Sequence, residues 1–462
     1  MFDDPARLCV APTRISRARP GLLRRNALKD SVFINGAGRG GDDSSSPVRG
    51  FPTRIRGENF AMKRLVVCCD GTWKAENSST VSNIVKIAQT VRMEAPGPDG
   101  QPVRQHVIYV SGPGARGFTA DRLFGGAFGL GLEANLSAAY WQVAVNWEPG
   151  DELYIFGFSR GAYTARSLVG LIDCIGIMKP DSMIAGQYPK AFRMYRRRGR
   201  NKLMRWRKPP TDQQVRDFRR EHSHRRRVID FIGVFDTVGA LGVPGLTSWR
   251  HRFHDVKLSP RVLCARQALA IDERRRNFEP CLWEVPVELG IKYRRIKDRK
   301  ADRVKQVWFE GVHSDIGGGY AQCGLSDITL RWMVAEAEAE GLAFDTELLE
   351  ELSAKCAGQE NHMERHKSCG PGYTLLNVVR TLRSPLRARF YWNSLRRLRV
   401  ETDNGVLVAS TVHDKAEYRP YNLRRWQQDL GGEFPAELIE KISPLDASTH
   451  QQGDGEPSEQ LL

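Results

Sequence analysis

No stretch of this chain is apolar over the roughly 20 residues that a membrane-spanning helix needs. The nearest approach, residues 123–147, is interrupted by Glu133, Asn135 and Asn146 and is rich in Gly and Ala, which predicts a packed loop and helix. A secretory leader is also missing, because the early arginines are scattered and no apolar block follows them. The nine cysteines are odd in number and never fall at Cys-x-x-Cys spacing, which argues against a zinc site or a disulfide framework. These absences make a cytoplasmic protein without metal or organic cofactor the expectation. Internal repeats are lacking too, which excludes solenoids and propellers.

Negative charge is the other shortage. The chain of 462 residues has 54 acidic side chains against 70 Lys and Arg, a formal net charge of +16. The imbalance is concentrated: residues 190–227 hold 16 Lys and Arg against Asp212, Asp217 and Glu221. Such a segment is read either as a solvated insertion or as a patch for an anionic surface, with Arg196, Arg197 and Arg198 as its centre and Met194, Tyr195, Met204 and Trp206 interleaved. A nucleic-acid partner is not expected. Residues 1–61, rich in Arg, Gly, Ser and Pro without apolar period, predict a disordered tail or an upstream-start extension, and 443–462 a second disordered tail.

Between the tails the pattern alternates. Strands are predicted at 65–69, 106–110, 153–158, 227–235 and 304–309, and helices at 81–91, 134–146, 162–172, 260–272 and 325–352. Strands alternating with helices imply an α/β fold, a mostly parallel sheet covered on both faces. The domain layout expected is a catalytic domain over 62–330 with a basic insertion at about 180–227, then a helical or mixed extension over 331–442 packed on it.

One run carries chemistry. Leu153-Tyr154-Ile155-Phe156-Gly157-Phe158-Ser159-Arg160-Gly161-Ala162 is a buried strand that breaks into Gly-x-Ser-x-Gly and enters a helix, the pattern of a nucleophile elbow. Gly157 and Gly161 leave room where a Cβ would strike the neighbouring strand or helix. A serine nucleophile needs a base and the base an orienting acid. Asp236 is the first polar residue after the apolar strand that ends Val234-Phe235, and His313 follows Val307-Trp308-Phe309-Glu310-Gly311-Val312 directly. The order Ser159, Asp236, His313 is that of α/β-hydrolases. Read singly, Asp236 is equally a turn aspartate and His313 a loop histidine. His222, His224, His251 and His254 are competitors that follow no buried strand so directly.

The N–H of Arg160 is the first expected donor of an oxyanion hole, and Gly71 or Thr72 in Asp70-Gly71-Thr72-Trp73 the second. Asp70 either orients that loop or competes with Asp236 as the acid. Two other motifs are set aside. Gly112-Pro113-Gly114-Ala115-Arg116-Gly117 fits a dinucleotide fingerprint but contains a proline and lacks the acidic residue expected about twenty positions on. Cys68-Cys69-Asp70-Gly71-Thr72 puts cysteine where a phosphatase loop needs its nucleophilic aspartate.

Five blocks together resemble the α/β-hydrolase domain family that includes the type VI secretion lipase effectors, the Tle1-like catalytic domains. They are Val67 to Trp73, Ile155 to Ala162, Gly233 to Gly239, Leu269 to Arg275 and Trp308 to Tyr320, in order over about 64–330. Farther on, Tyr418-Arg419-Pro420-Tyr421-Asn422-Leu423 is similar as well. The resemblance implies a Ser159/Asp236/His313 esterase, phospholipid as substrate in the effector members, and contact-dependent export as an open route. Asp272-Glu273-Arg274-Arg275 is read as a charge network that ends the preceding helix, without a catalytic part. The function expected is hydrolysis of carboxylic esters, lipid or phospholipid acyl esters foremost, through an acyl-enzyme. The alternatives are a thioesterase or acyltransferase with the same triad, or a silent hydrolase-fold module docking on anionic membrane or nucleic acid.

Overall fold

The computed structural model describes residues 62–71, 80–97, 100–112, 128–198, 209–225, 228–238, 257–275, 278–285, 303–357, 363–369, 395–398 and 405–442. The expected tails at 1–61 and 443–462, Thr72, the histidines at 251 and 254, Met204 and Trp206 lie outside them, as does most of the glycine motif at 112–117.

Apolar runs without polar alternation belong to strands buried on both faces, and here they build one parallel sheet. Strand β1 (Lys63–Cys69) leads through helix α1 (Asn83–Thr90) and the short β2 (Glu94–Pro96) to β3 (Pro102–Val110). Helix α2 (Phe128–Asn146) returns the chain to β4 (Glu152–Phe158), which breaks into α3 (Arg160–Ile175). Helices α4 (Pro180–Ile184), α5 (Tyr188–Arg198) and α6 (Asp212–His222) precede β5 (Ile229–Phe235), β6 (Val262–Ala270) and β7 (Val304–Phe309). The short α7 (His313–Gly317), then α8 (Gly324–Ala339), α9 (Thr346–Ala357), β8 (Val406–Ala409), α10 (Ser410–His413), α11 (Tyr421–Asp429) and β9 (Ile439–Glu440) complete the described chain.

The strand order is β2-β3-β1-β4-β5-β6-β7-β8-β9, with only β2 antiparallel to its neighbour. This is the mostly parallel α/β sheet that the sequence implies. Leu65, Val67, Leu153 and Ile155 pack on the face covered by α2, α3, α5 and α6. Val66, Cys68, Tyr154 and Phe156 pack on the other face with α1 and α8. The chain moves outward from β1 to β3, then crosses back past β1 to β4. That reversal opens a crevice beyond the carboxyl ends of β1 and β4, where α/β sheets bind ligands.

Two expectations are corrected. Residues 260–272 are not a helix: Val262–Ala270 within them form β6, between β5 and β7. Val-Leu-Cys-Ala-Arg-Gln-Ala-Leu-Ala is rich in helix formers, yet propensity differs by only about 0.7 kcal/mol per residue. Burying one Val or Leu contributes about 1.5–3 kcal/mol, so sheet packing prevails. The polar Arg266 and Gln267 are absorbed, Arg266 by Glu336 of α8 and Gln267 by Thr237 Oγ1 and the Cys281 carbonyl. The single helix expected over 325–352 is two, because Gly341, at φ +108°, turns the chain between α8 and α9. Leu342 and Phe344 are buried in that turn, and the Asp345 N–H donates to the Thr90 carbonyl of α1.

The described part of the basic insertion packs an apolar stripe on the core, while Lys190, Arg193, Arg196, Arg198, Arg216 and Arg220 stay exposed. Tyr188, Ala191 and Tyr195 of α5 and Val215 and Phe218 of α6 are buried in the core around α3. Thr211 and Gln214 form a reciprocal capping box that fixes where α6 starts. Among the described residues no helix is long and apolar enough to cross a membrane. Cys68, Cys69, Cys174, Cys264, Cys281 and Cys369 are free, and Cys323 is disulfide-bonded.

Candidate active site

The turn after β4 is strained at one residue. Ser159 has φ 56° and ψ −117°, a region that costs a non-glycine residue about 1–3 kcal/mol. The surroundings enforce it: the Ser159 N–H donates to the Phe235 carbonyl of β5, and its carbonyl accepts from Tyr163 N–H of α3. The flanking glycines are steric necessities. A Cβ on Gly157 would stand 2.6 Å from Ala162 Cα, and one on Gly161 would strike the Cys69 carbonyl of β1. Because the strain sits on the Cβ-bearing residue itself, Ser159→Gly should be more stable than Ser159→Ala by roughly 0.5–2 kcal/mol. That is the relieved strain less the roughly 0.5–1 kcal/mol backbone entropy of glycine. Thermal unfolding of the two variants measures it.

Asp236 directly follows β5 and is the other non-glycine residue described at positive φ, 38°. His313 opens α7 just after β7. Its Nε2 lies 2.8 Å from Ser159 Oγ and its Nδ1 2.6 Å from Asp236 Oδ2. The structure therefore brings together the three residues singled out in the sequence, from the ends of three strands. Asp236 is fully buried, and Ser159 and His313 are each 4% exposed, so water screens these contacts little.

Burial by itself would raise the Asp236 carboxyl, but the Arg396 guanidinium and the His313 ring outweigh it and hold the group well below the usual carboxylate range. An ionised Asp236 takes the Nδ1 proton as a hydrogen bond, which leaves Nε2 as acceptor for the Ser159 hydroxyl. The imidazole packs against Phe158, tilted by 35°, and Phe278, nearly perpendicular at 77°, each with its ring centroid 4.8 Å away.

The segment Asp272-Glu273-Arg274-Arg275 follows a strand and not a helix, and it ties the β6 and β7 loops together. Asp272 Oδ2 accepts from Gly311 N–H at 2.8 Å and from the Tyr418 hydroxyl at 2.7 Å. Glu273 Oε2 accepts from the backbone N–H of His313 at 3.3 Å. Burial would raise the Glu273 carboxyl, and the paired Arg275 reverses this and lowers it.

The oxyanion candidates fare differently. Arg160 N–H is at the first position of α3, the end where a helix directs its N–H groups outward. Gly71 N–H is engaged by Asp70 Oδ1 at 2.6 Å, and Thr72 lies outside the described residues. Asp70 also accepts from Ser82 Oγ and Tyr109 OH, which makes it the organiser of that loop, while the His313 ring bonds to Asp236.

Arg196, Arg197 and Arg198 are consecutive residues of α5, so they point in directions about 100° apart, and Arg196 and Arg198 are exposed. Arg196 pairs with Glu133 of α2 at 3.3 Å, and Arg198 donates to the Cys174 thiol. Arg198 lines a cavity of about 390 Å³ along α3 that none of Ser159, Asp236 and His313 borders.

Sequence reasoning missed Arg396, Glu273 as a partner of the His313 backbone, and Asn422, whose side chain donates to the carbonyls of Ile271 and Arg396. The one available signal was the familiar Tyr418–Leu423 block, which supplies both Tyr418 and Asn422 to the site's underside.

A serine on a strand–turn–helix elbow, with histidine and aspartate at later strand ends of a parallel sheet, is the layout of an α/β-hydrolase. Within that class the chain belongs to the family of type VI secretion system phospholipase effectors, Tle1-like catalytic domain, whose model matches residues 63–336. It is 27% identical over 270 residues to an uncharacterized protein of Saccharomyces cerevisiae, covering 54% of this chain and 36% of that one. Among solved structures it is similar to an uncharacterized protein from Pseudomonas aeruginosa, with 18% identity and a TM-score of 0.33 over 73% of this chain and 56% of that one. It is also similar to the Tle1 effector bound to the VgrG spike, with 17% identity and a TM-score of 0.31 over 57% and 52%. The chain thus spans about a third of the yeast relative and about half of each solved chain.

Proposed function

We propose that this protein is a lipase-type serine hydrolase that cleaves carboxylic esters, phospholipid acyl esters foremost. The observation that carries the reading is the continuous hydrogen-bonded path from Ser159 Oγ through His313 to Asp236, at 2.8 and 2.6 Å. Family membership supports the lipid substrate.

The chemistry follows from the geometry. His313 Nε2 takes the hydroxyl proton as Ser159 Oγ bonds to the ester carbonyl carbon. The charge that develops on the carbonyl oxygen is met by the Arg160 N–H and a donor from the loop after β1, where Gly71 and Thr72 are the candidates. His313 then returns the proton to the leaving alkoxide, and the acyl group stays on Ser159. Water enters, gives a proton to His313 and releases the acid by the reverse sequence. Asp236 remains ionised throughout and keeps the imidazole in the tautomer this exchange needs.

Incubation with mixed phospholipid vesicles and with simple esters, followed by product analysis, tests the substrate class. Release of free fatty acid with matching lysophospholipid is expected. Release of phosphate-bearing headgroup with intact diacylglycerol would exclude acyl-ester cleavage and overturn the reading.

A further inference from the structure

Backbone N–H groups are not the main hold on the acid of this constellation. Arg396 stands 160 residues farther along the chain and grips both carboxylate oxygens. Its Nη1 lies 2.6 Å from Asp236 Oδ1 and its Nη2 2.9 Å from Oδ2, the oxygen that also meets His313 Nδ1. The pair is dry, with Asp236 wholly buried and Arg396 7% exposed. Arg396 is itself fixed from outside the pair: Nη1 donates to the Ala270 carbonyl at 2.9 Å, Nη2 to the Phe278 carbonyl, and its own carbonyl accepts from Asn422 Nδ2. The family match ends at residue 336, so this cation comes from beyond it.

We propose that Arg396 is a positioning residue for the Asp236–His313 pair: it fixes the carboxylate's orientation and charge and sets how readily the pair takes up a proton. The inference rests on Ser159 being the nucleophile, as proposed above. A planar guanidinium fork matches both carboxylate oxygens at once and so permits one orientation of the group. A buried carboxylate without that cation would favour its neutral form and lose its hold on Nδ1–H. The cation also has a cost. The proton that enters the pair during catalysis meets a neighbouring positive charge whichever atom carries it.

Other charges near the ring are already engaged. Glu273 holds the His313 backbone N–H and pairs with Arg275, whose guanidinium lies 3.7 Å from the centroid of the Phe278 ring. Asp315, two residues beyond His313, turns away to Val312 N–H and His366. Ser159 Oγ is neutral, and the uncharged rings of Phe158 and Phe278 pack against the imidazole.

The test is the pH profile of kcat and kcat/KM for a p-nitrophenyl ester, with the full chain and Ser159→Ala, Arg396→Met, Arg396→Lys and Arg397→Met variants. Arg396→Met is expected to lower kcat roughly 10–100-fold with KM nearly unchanged, as misplacement of a reacting group does. Its acidic limb should move to higher pH by about one unit or more, the size expected when a facing charge is removed. Arg396→Lys retains the charge without the fork, so its limb should stay near wild type while kcat recovers only in part. The exposed Arg397→Met serves as the control and should follow wild type. If Arg396→Met does not fold, Arg396→Lys decides alone: wild-type kcat in that variant overturns the role of the fork. A lower kcat in Arg396→Met with an unmoved limb reduces Arg396 to a structural residue and overturns the proposal. Turnover persisting in Ser159→Ala contradicts the nucleophile instead, so the two failures are told apart.

Discussion

Ser159→Ala should abolish ester turnover, lowering kcat by a factor on the order of 10⁴–10⁶, while leaving the fold and its thermal stability close to wild type. The magnitude follows from the role: removing the nucleophile of a Ser/His/Asp set leaves only the catalysis that binding and the oxyanion hole supply. Stability is spared because the lost hydroxyl makes its described side-chain bond to His313 Nε2 alone, and the Cβ that strains the elbow is retained. Steady-state rates with a simple ester and a thermal melt of the same sample measure both halves. A variant that is inactive because it is unfolded would show in the melt.

Asp236→Asn should combine two large effects that Ser159→Ala keeps apart. An amide in place of the carboxylate cannot accept Nδ1–H in the same way, and the wrong tautomer of His313 costs about 10⁴ in kcat in this kind of site. The variant also leaves the buried Arg396 guanidinium without its counter-charge, and breaking a buried pair in that manner costs about 3–5 kcal/mol. The loss of stability distinguishes this acid from one held by backbone N–H groups alone.

The same group gives a pH signature. The folded-state value of Asp236 is depressed, because Arg396 and His313 outweigh burial, so its contribution to stability is fully present above the unfolded carboxylate value of about 3.9. The contribution is lost as pH falls below that value toward the folded one. Acid titration of stability should therefore be steeper for wild type than for Asp236→Asn below about pH 4.

Much of this was legible because the chemistry follows the simplest parts of the sequence. Ser159 and Asp236 stand directly after apolar strand ends and His313 a few residues beyond one, where a polar residue has no place in the core and projects into the crevice. The sheet itself announced its parallel character through unbroken runs such as Leu65–Cys69. Strand β6 did not, since its alanines and leucines carry no period that separates strand from helix, and its neighbours in the sheet decide the matter. The break at Gly341 was hidden for a related reason: Leu342 and Phe344 continue an apolar pattern although they fill a turn.

Arg396 was out of reach for a different reason. Its partner is 160 residues away, it lies in no motif, and an arginine among Arg396-Arg397 reads as surface charge. The partners of the basic stretch at Arg196–Arg198 were hidden in the same way, because Glu133 and Cys174 stand far from it in the sequence. Spacing identifies residues that act through their own position. It does not identify those that act through a distant partner.

The most direct measurement of the central claim is peptide mapping by mass spectrometry after treating the folded protein with a fluorophosphonate. The account predicts one covalent adduct, on the peptide containing Ser159, formed rapidly in wild type and absent from Ser159→Ala. An adduct that survives in Ser159→Ala, or no adduct on folded wild-type protein, would contradict it.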